Sequence, residues 1–306
     1  MVEYPLVFAN VANMKLEINS DTSTSIIHSN DRAFNYGDGF FTTMRCVDQK
    51  IQLFDLHLQR LQSDAKRLFV DINDWSGLIK ALKQTTNKAS EDCVVKVHIS
   101  LGEGGRGYSR DMLSKPRALI KTSPLPEDID EMTLSVGQGY LSDQSMLAGI
   151  KHCNRLEQVL LKRQADELGI DDVICLDSKL HVVETSSANL FWFNHGTWYT
   201  PSLTRCGVNG VYRQFILSLF AKFDIDISIG DYLLDNLVTA ESVFACNAVR
   251  GVMPIKQLKY PLESQHSFSD LSQHLCNQNV IEFTNLQLPA LQTRIKQHLQ
   301  TIESKI

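Results

Sequence analysis

The sequence predicts a mixed α/β (α+β) protein built as two domains, a reading that rests on three observations. The apolar period switches repeatedly between two and about 3.6 along the chain. No internal repeat or low-complexity block interrupts it. The 306 residues, 43% of them apolar, suffice for two cores at roughly 150 residues per domain.

The elements are taken in chain order. Leu58, Leu61, Ala65 and Leu68 recur at helical spacing, with Arg60, Asp64 and Arg67 between them, so residues 56–69 read as an amphipathic helix. Leu78, Ile79 and Leu82 mark a second helix. Val95, Val97 and Ile99 alternate with Lys96, His98 and Ser100, the pattern of a half-buried strand over 94–101, and 118–121 read as another. Two prolines and four acidic residues crowd into 123–131 without periodicity. This sets a linker at 124–131 between domains of residues 1–123 and 132–279.

Beyond the linker come a strand near 134–138 and a helix over about 154–168, closed by Gly169 at its C′ position. Asn154 suits either the cap of that helix or a ligand contact. Short strands are expected at 173–176, 181–184 and 190–193, parted by turn residues Asp177-Ser178 and Asn194-His195-Gly196. A helix after Asn209-Gly210 places Val211, Phe215, Ile216, Leu219 and Phe220 on its apolar side, and 242–246 read as a buried strand. In the extension 280–306, Leu291, Ile295, Leu299, Ile302 and Ile306 fall three and four apart. That pattern describes an amphipathic helix after Pro289, packed on the protein's own body.

Charge and cysteine usage narrow the function classes. With 30 Lys plus Arg against 35 Asp plus Glu, the net charge of -5 supplies no basic field for nucleic acid. Seven scattered cysteines without a C-x-x-C pair suggest neither a disulfide framework nor a zinc ribbon, and fit a reducing compartment. No metal is expected. Met1-Val2-Glu3-Tyr4-Pro5 is unlike a signal peptide, and no apolar run is long enough for a membrane span. A soluble cytoplasmic protein with a small-molecule substrate is the expectation.

Gly102-Glu103-Gly104-Gly105-Arg106-Gly107 matches G-x-G-x-x-G after a strand. The dinucleotide reading fails on the next segment, because 108–116 have weak apolar periodicity and end in Pro116, where the fingerprint requires a helix N-terminus for the pyrophosphate. Two readings stay open: a plain glycine-rich loop, or a substrate loop in which Arg106 meets an anion.

Three separated segments, in matching order and spacing, resemble the fold-type IV pyridoxal-phosphate enzymes. This family contains branched-chain and D-amino-acid aminotransferases and aminodeoxychorismate lyases. The first runs Asp31-Arg32-Ala33-Phe34-Asn35-Tyr36-Gly37-Asp38-Gly39-Phe40-Phe41-Thr42-Thr43-Met44-Arg45, followed by His57-Leu58-Gln59-Arg60-Leu61. The second is Gly149-Ile150-Lys151-His152-Cys153-Asn154-Arg155-Leu156-Glu157-Gln158, and the third Glu184-Thr185-Ser186-Ser187-Ala188-Asn189-Leu190-Phe191. Gly-Asp-Gly-Phe-Phe-Thr-Thr, Gly-Gly-Arg-Gly-Tyr and Ile-Lys-His-Cys-Asn-Arg-Leu-Glu-Gln are most similar to the lyases of the family.

The resemblance implies a small N-terminal α/β domain, a larger C-terminal domain and a homodimer with pyridoxal 5'-phosphate between the domains. It implies a lyase converting 4-amino-4-deoxychorismate to 4-aminobenzoate and pyruvate in folate synthesis. The alternative is an aminotransferase of the same fold acting on D- or branched-chain amino acids. Lys151 matches the family's lysine that joins the cofactor aldehyde and then shuttles protons. Glu184 matches the carboxylate facing the pyridine nitrogen, and Arg60 the guanidinium holding the phosphate. On residue type alone, Lys151 would be a solvated lysine, Glu184 a structural carboxylate and Arg60 a helix-surface ion-pair residue.

Asn209, Gly210, Val211 and Tyr212 match the helix N-terminus that cradles the phosphate. Asn247 and Ala248 match a further phosphate-side position, where Ala248 offers only its backbone. Arg45, Arg106, Thr42 and Thr43 are the candidate substrate residues, because a dicarboxylate needs cationic and hydroxyl donors. Structural ion pairing and strand packing explain the same four equally well.

Overall fold

The computed structural model describes residues 17–19, 27–110, 115–143, 146–259 and 280–303. The first sheet is formed by β1 (Glu17–Asn19), β2 (Gly39–Val47), β3 (Lys50–Ile51), β4 (Cys93–Ser100) and β5 (Arg117–Pro124), in the order β1-β5-β4-β2-β3. Only the β1–β5 pair is parallel. Val95 and Val97 of β4, Met44 of β2 and Ile120 of β5 point to one side. There they form a core with Leu61 of α2 (Phe54–Arg67) and Leu78 and Leu82 of α3 (Trp75–Asn87). The expected strand over 94–101 is thus β4, and its alternation is the burial pattern.

A second sheet of nine strands lies beyond it in the chain. It comprises β6 (Met132–Leu141), β7 (Asp172–Asp177), β8 (Val182–Thr185), β9 (Asn189–Asn194), β10 (Thr197–Pro201), β11 (Ile227–Gly230), β12 (Ser242–Asn247), β13 (Gly251–Lys259) and β14 (Val280–Glu282). Their order is β11-β10-β9-β12-β13-β6-β7-β8, with β14 on β13. Both faces of β12 are buried, which is why 242–246 lack alternation. Val243 and Ala245 pack with Leu190 and Trp192 on one side, and Phe244 and Cys246 pack with Phe191 on the other.

On that second side lie α5 (Val211–Lys222) and the C-terminal helix α7 (Leu288–Glu303), with Leu288, Leu291 and Ile295 of α7 buried beside Phe215 and Leu219 of α5. Helix α4 (Leu156–Leu168) covers β6 and β7 through Leu161 and Ala165. Short helices α1 (Arg32–Tyr36) and α6 (Leu234–Val238) complete the described elements.

Several expectations change. The helix read over 56–69 begins at Phe54, and three of its polar positions are buried: His57 is 1%, Arg60 7% and Asp64 4% exposed. The reason is that α2 packs against β2 on one side and α5 on another, so a second face is covered. The extension expected from 280 begins with β14 before its helix, and Pro289 falls in the first turn of α7, where its missing N–H is harmless. Ile306 lies outside the described residues. The helix expected from 154 starts at Leu156. Asn154 does not cap it: its amide donates to the Gly37 carbonyl at 3.2 Å.

Gly37 closes α1 with φ +66°, and a Cβ there would stand 2.0 Å from Asn154 Oδ1. Only glycine combines that backbone with so close an approach. Gly37→Ala is therefore expected to lower the unfolding free energy by about 1–3 kcal/mol. Adding Asn154→Ala should recover the steric part but not the conformational part, as measured by urea unfolding.

Candidate active site

Between the two sheets lies a cavity of about 630 Å³ whose walls include Phe41, Arg60, Lys151, Glu184, Val211 and Ala248. Lys151 belongs to an extended segment between β6 and α4. Its carbonyl accepts the Phe41 N–H at 2.9 Å, and the Cys153 N–H donates to the Gly39 carbonyl at 2.9 Å. On the other flank the Gly149 N–H donates to Gly207 and its carbonyl accepts the Asn209 N–H, at 2.9 and 3.0 Å. The lysine is thus stitched between β2 and the loop that leads into α5.

The Lys151 ammonium stands 4.8 Å from the ring centroid of Phe41, and the Lys96 ammonium 4.5 Å from the same ring. Burial, and then the positive charges of Arg60, Arg155 and Lys96, pull the Lys151 amine down to about 7, against the opposing pull of Glu184. Glu184 on β8 is 4% exposed. Its Oε2 accepts the Val208 N–H at 2.9 Å and the Asn189 amide at 3.4 Å, and burial lifts its carboxyl to about 7.

Arg60 reaches the cavity from α2 and donates to the Thr42 hydroxyl. With that oxygen accepting from Arg60, the Thr42 proton is left for His57 Nδ1, 2.7 Å away. Burial and the Arg60 charge hold His57 neutral, far below its usual range. Thr42 therefore orients Arg60 from inside the small core, whereas Thr43, on the opposite face of β2, lines the cavity. The Arg60 Nε is buried and has no protein partner.

Gly210 is the N-cap of α5 and supplies no side-chain cap, so first-turn N–H groups remain available for an anion. A Cβ on Gly210 would lie 2.2 Å from Asn189 Oδ1, and glycine there lets Asn189 reach the Val208 carbonyl at 2.9 Å. Gly210, Val211, Asn247 and Ala248 line the cavity. The Asn209 side chain instead accepts from Arg213 at 3.2 Å, and Tyr212 packs in the core behind α5. Asn247 Oδ1 accepts the Val249 and Arg250 N–H groups at 3.0 and 2.9 Å, which shapes the turn that presents Ala248.

The remaining substrate candidates are less central. Arg45 donates to the Val249 carbonyl at 3.0 Å, beside that turn. Arg106 is exposed on the glycine-rich loop and is not a wall residue of the cavity. The structure adds four residues that composition and motif reading left without a role: Phe41, Lys96, Arg155 and Asp172. Alternation along β2 and β4 could have grouped Phe41 and Lys96 with Thr43. Asp172 lies far from any motif, yet its carboxylate accepts from the Ser186 and Ser187 hydroxyls at 2.5 and 2.7 Å and fixes that wall.

An amine near neutrality, a buried carboxylate, a guanidinium with an unpartnered Nε and an uncapped helix N-terminus share one cavity. Those are the groups that an aldehyde, a protonated pyridine nitrogen and a phosphate require, so the residues fit pyridoxal phosphate.

Comparison with known proteins agrees. The aminotransferase class IV family matches residues 39–258. Aminodeoxychorismate lyase of Vibrio harveyi is 34% identical over 236 residues, 76% of this chain and 87% of that protein. The crystal structure of 4-amino-4-deoxychorismate lyase from Pseudomonas aeruginosa superposes with a TM-score of 0.73 at 32% identity, covering 83% of this chain and 96% of that one. Branched-chain amino acid aminotransferase of Escherichia coli shares the fold, with a TM-score of 0.69 at 21% identity over 76% of this chain and 82% of that one.

The shifted amine has a thermodynamic consequence. In the unfolded chain Lys151 keeps its proton up to about 10.5, but in the folded chain only to about 7. The unfolded chain binds more protons across that window, so this group's contribution to stability rises with pH there and is lost as pH falls through 7. Glu184 has the opposite sign, its contribution falling between about 4.5 and about 7. In cofactor-free protein, Lys151→Met should melt above wild type near neutral pH, and the gap should close as pH approaches 10. Scanning fluorimetry across that range checks it.

Proposed function

We propose that this chain, which belongs to the aminotransferase class IV family, is a pyridoxal-phosphate-dependent lyase that converts 4-amino-4-deoxychorismate to 4-aminobenzoate and pyruvate. The observation that carries this reading is the convergence of Lys151, Glu184, Arg60 and the α5 N-terminus on one cavity. The choice of lyase over transaminase chemistry is supported by the one-third identity to lyases across most of the chain.

The bound cofactor supplies an aldehyde for the substrate amine and a sink for the electron pair left at the amine-bearing ring carbon. Arg60 and the α5 N-terminus would hold its phosphate, and Glu184 the proton on its ring nitrogen. Lys151 Nζ takes the proton from the amine-bearing carbon of the substrate. An amine held near neutrality has both its basic and its acidic form at hand, as that exchange requires. Departure of the enolpyruvyl oxygen leaves an aromatic ring, and Lys151 returns its proton to the methylene carbon as pyruvate forms. The Thr42 hydroxyl keeps Arg60 aimed at the cavity, and Asp172 keeps the Ser186-Ser187 wall in place.

We further read the chain as two domains, residues 1–123 and 132–279, joined by 124–131, and as a cytoplasmic homodimer. Separate sheets with separate cores support the division. Phe34 on α1 and Leu156 and Val159 on α4 are 71%, 69% and 59% exposed around one surface depression, an apolar patch suited to a second copy. The described cysteines are all free, in keeping with a reducing compartment. No helix among the described residues is long and apolar enough to cross a membrane.

Purified protein with pyridoxal phosphate and 4-amino-4-deoxychorismate, without any keto acid, should release 4-aminobenzoate and pyruvate in equal amounts. Lys151→Ala should lower that rate by about a thousandfold. Turnover that stops without a keto acid and leaves pyridoxamine phosphate would move the assignment to an aminotransferase.

A further inference from the structure

Lys151 sits in a segment whose backbone is held largely by charged side chains. Its N–H donates to Asp64 Oδ2 at 3.3 Å, and its carbonyl accepts from Phe41. The carbonyls on either side are held by a single side chain. Arg155 Nη2 donates to Ile150 at 2.9 Å and Arg155 Nε to His152 at 2.8 Å. Arg67 adds bonds to the Ala148 and Met146 carbonyls at 2.6 and 3.2 Å. Arg155 is half-buried and lines the same cavity as Lys151 and Glu184.

We propose that Arg155 is a positioning residue for the reacting lysine: its planar fork bridges the carbonyls of residues 150 and 152 and holds the Lys151 backbone at a fixed angle to the cavity. Two carbonyls flanking one residue are a target for a rigid fork, which a lysine ammonium on a flexible stem cannot span in the same way.

The fork also leaves a permanent positive charge beside the amine. The charged groups acting on the Lys151 amine are Arg60 from α2, Lys96 from β4, Glu184 from β8 and Arg155 itself, and Asp64 from α2 stands at the Lys151 backbone N–H, so three cations and two carboxylates surround the residue. Arg155 is in turn balanced chiefly by Glu184. Removing it deletes one of the three cations that favour the neutral, nucleophilic amine, and at the same time frees the backbone on both sides.

Identifying Lys151 as the reacting lysine rests on the proposed function, so the test separates the two claims. In cofactor-free protein, competitive acetylation of Lys151 from about pH 6 to about pH 10, read by mass spectrometry, reports the amine directly and requires no turnover. Arg155→Gln should move the Lys151 midpoint up by about one pH unit, a tenfold loss of neutral amine below it. Arg155→Lys should leave the midpoint in place and lower kcat of the loaded enzyme about tenfold with KM unchanged, because it retains the charge and loses the fork.

An unmoved midpoint in the Gln variant overturns the proposal. So does full kcat in the Lys variant, which alone decides should the Gln protein fail to fold. A rise in KM with kcat and midpoint unchanged would make Arg155 a substrate ligand instead. Borohydride reduction of the loaded protein that fails to fix the cofactor on Lys151 would reject the functional reading while leaving the acetylation result standing.

Discussion

An amine and a carboxylate buried in the same cavity are the constraint to which the rest of the structure responds. Neither group tolerates desolvation as an ion without partners. Glu184 is met by the Val208 N–H, whereas the Lys151 amine lies over the Phe41 ring with Glu184 as its counter-charge, and its backbone is held by Asp64 and Arg155. The result is a pair shifted toward each other, the amine downward and the carboxyl upward. Groups displaced in this way from ordinary values are poised for proton exchange near neutrality.

The two sheets divide the labour of building that cavity. The first contributes one face of β2 and Arg60 of α2, and the second contributes β8, β9, one side of α4, the α5 N-terminus and the β12–β13 turn. Helix α2 is the member shared by both: its apolar residues fill the small core while Arg60, Asp64 and Arg67 turn toward the lysine segment. A charged stripe on a helix is therefore not always its solvent face. Here it forms the inner lining of a junction.

Much of this was legible in the sequence. Alternation in 94–101, the glycine-closed helix ending at Leu168 and the helix after Gly210 follow from local rules that the structure obeys. The segments around Lys151 and Glu184 were found by resemblance, since residue type gave no reason to choose them. What stayed hidden depends on tertiary neighbours. Burial of Arg60 and Asp64 requires α5 to cover α2, Asn154 is diverted from capping by the carbonyl of a residue 117 positions away, and Thr42 faces the core because strand register puts Thr43 outside. Asp172 carries no motif at all, and only the approach of β7 to the Ser186-Ser187 turn gives it a task.

The C-terminal helix α7 lies beyond the segment matched by the family, which ends at residue 258, and it is seated behind α5. Clamped between the sheet and α7, α5 cannot fray or tilt independently of the core it shares with both, so the amides at its first turn are fixed in direction by folding itself. The ordering entropy of those amides is then charged to folding. Amide exchange at the start of α5 should consequently belong to the slow, globally unfolding class, whereas the exposed glycine-rich loop bearing Arg106 exchanges through local opening.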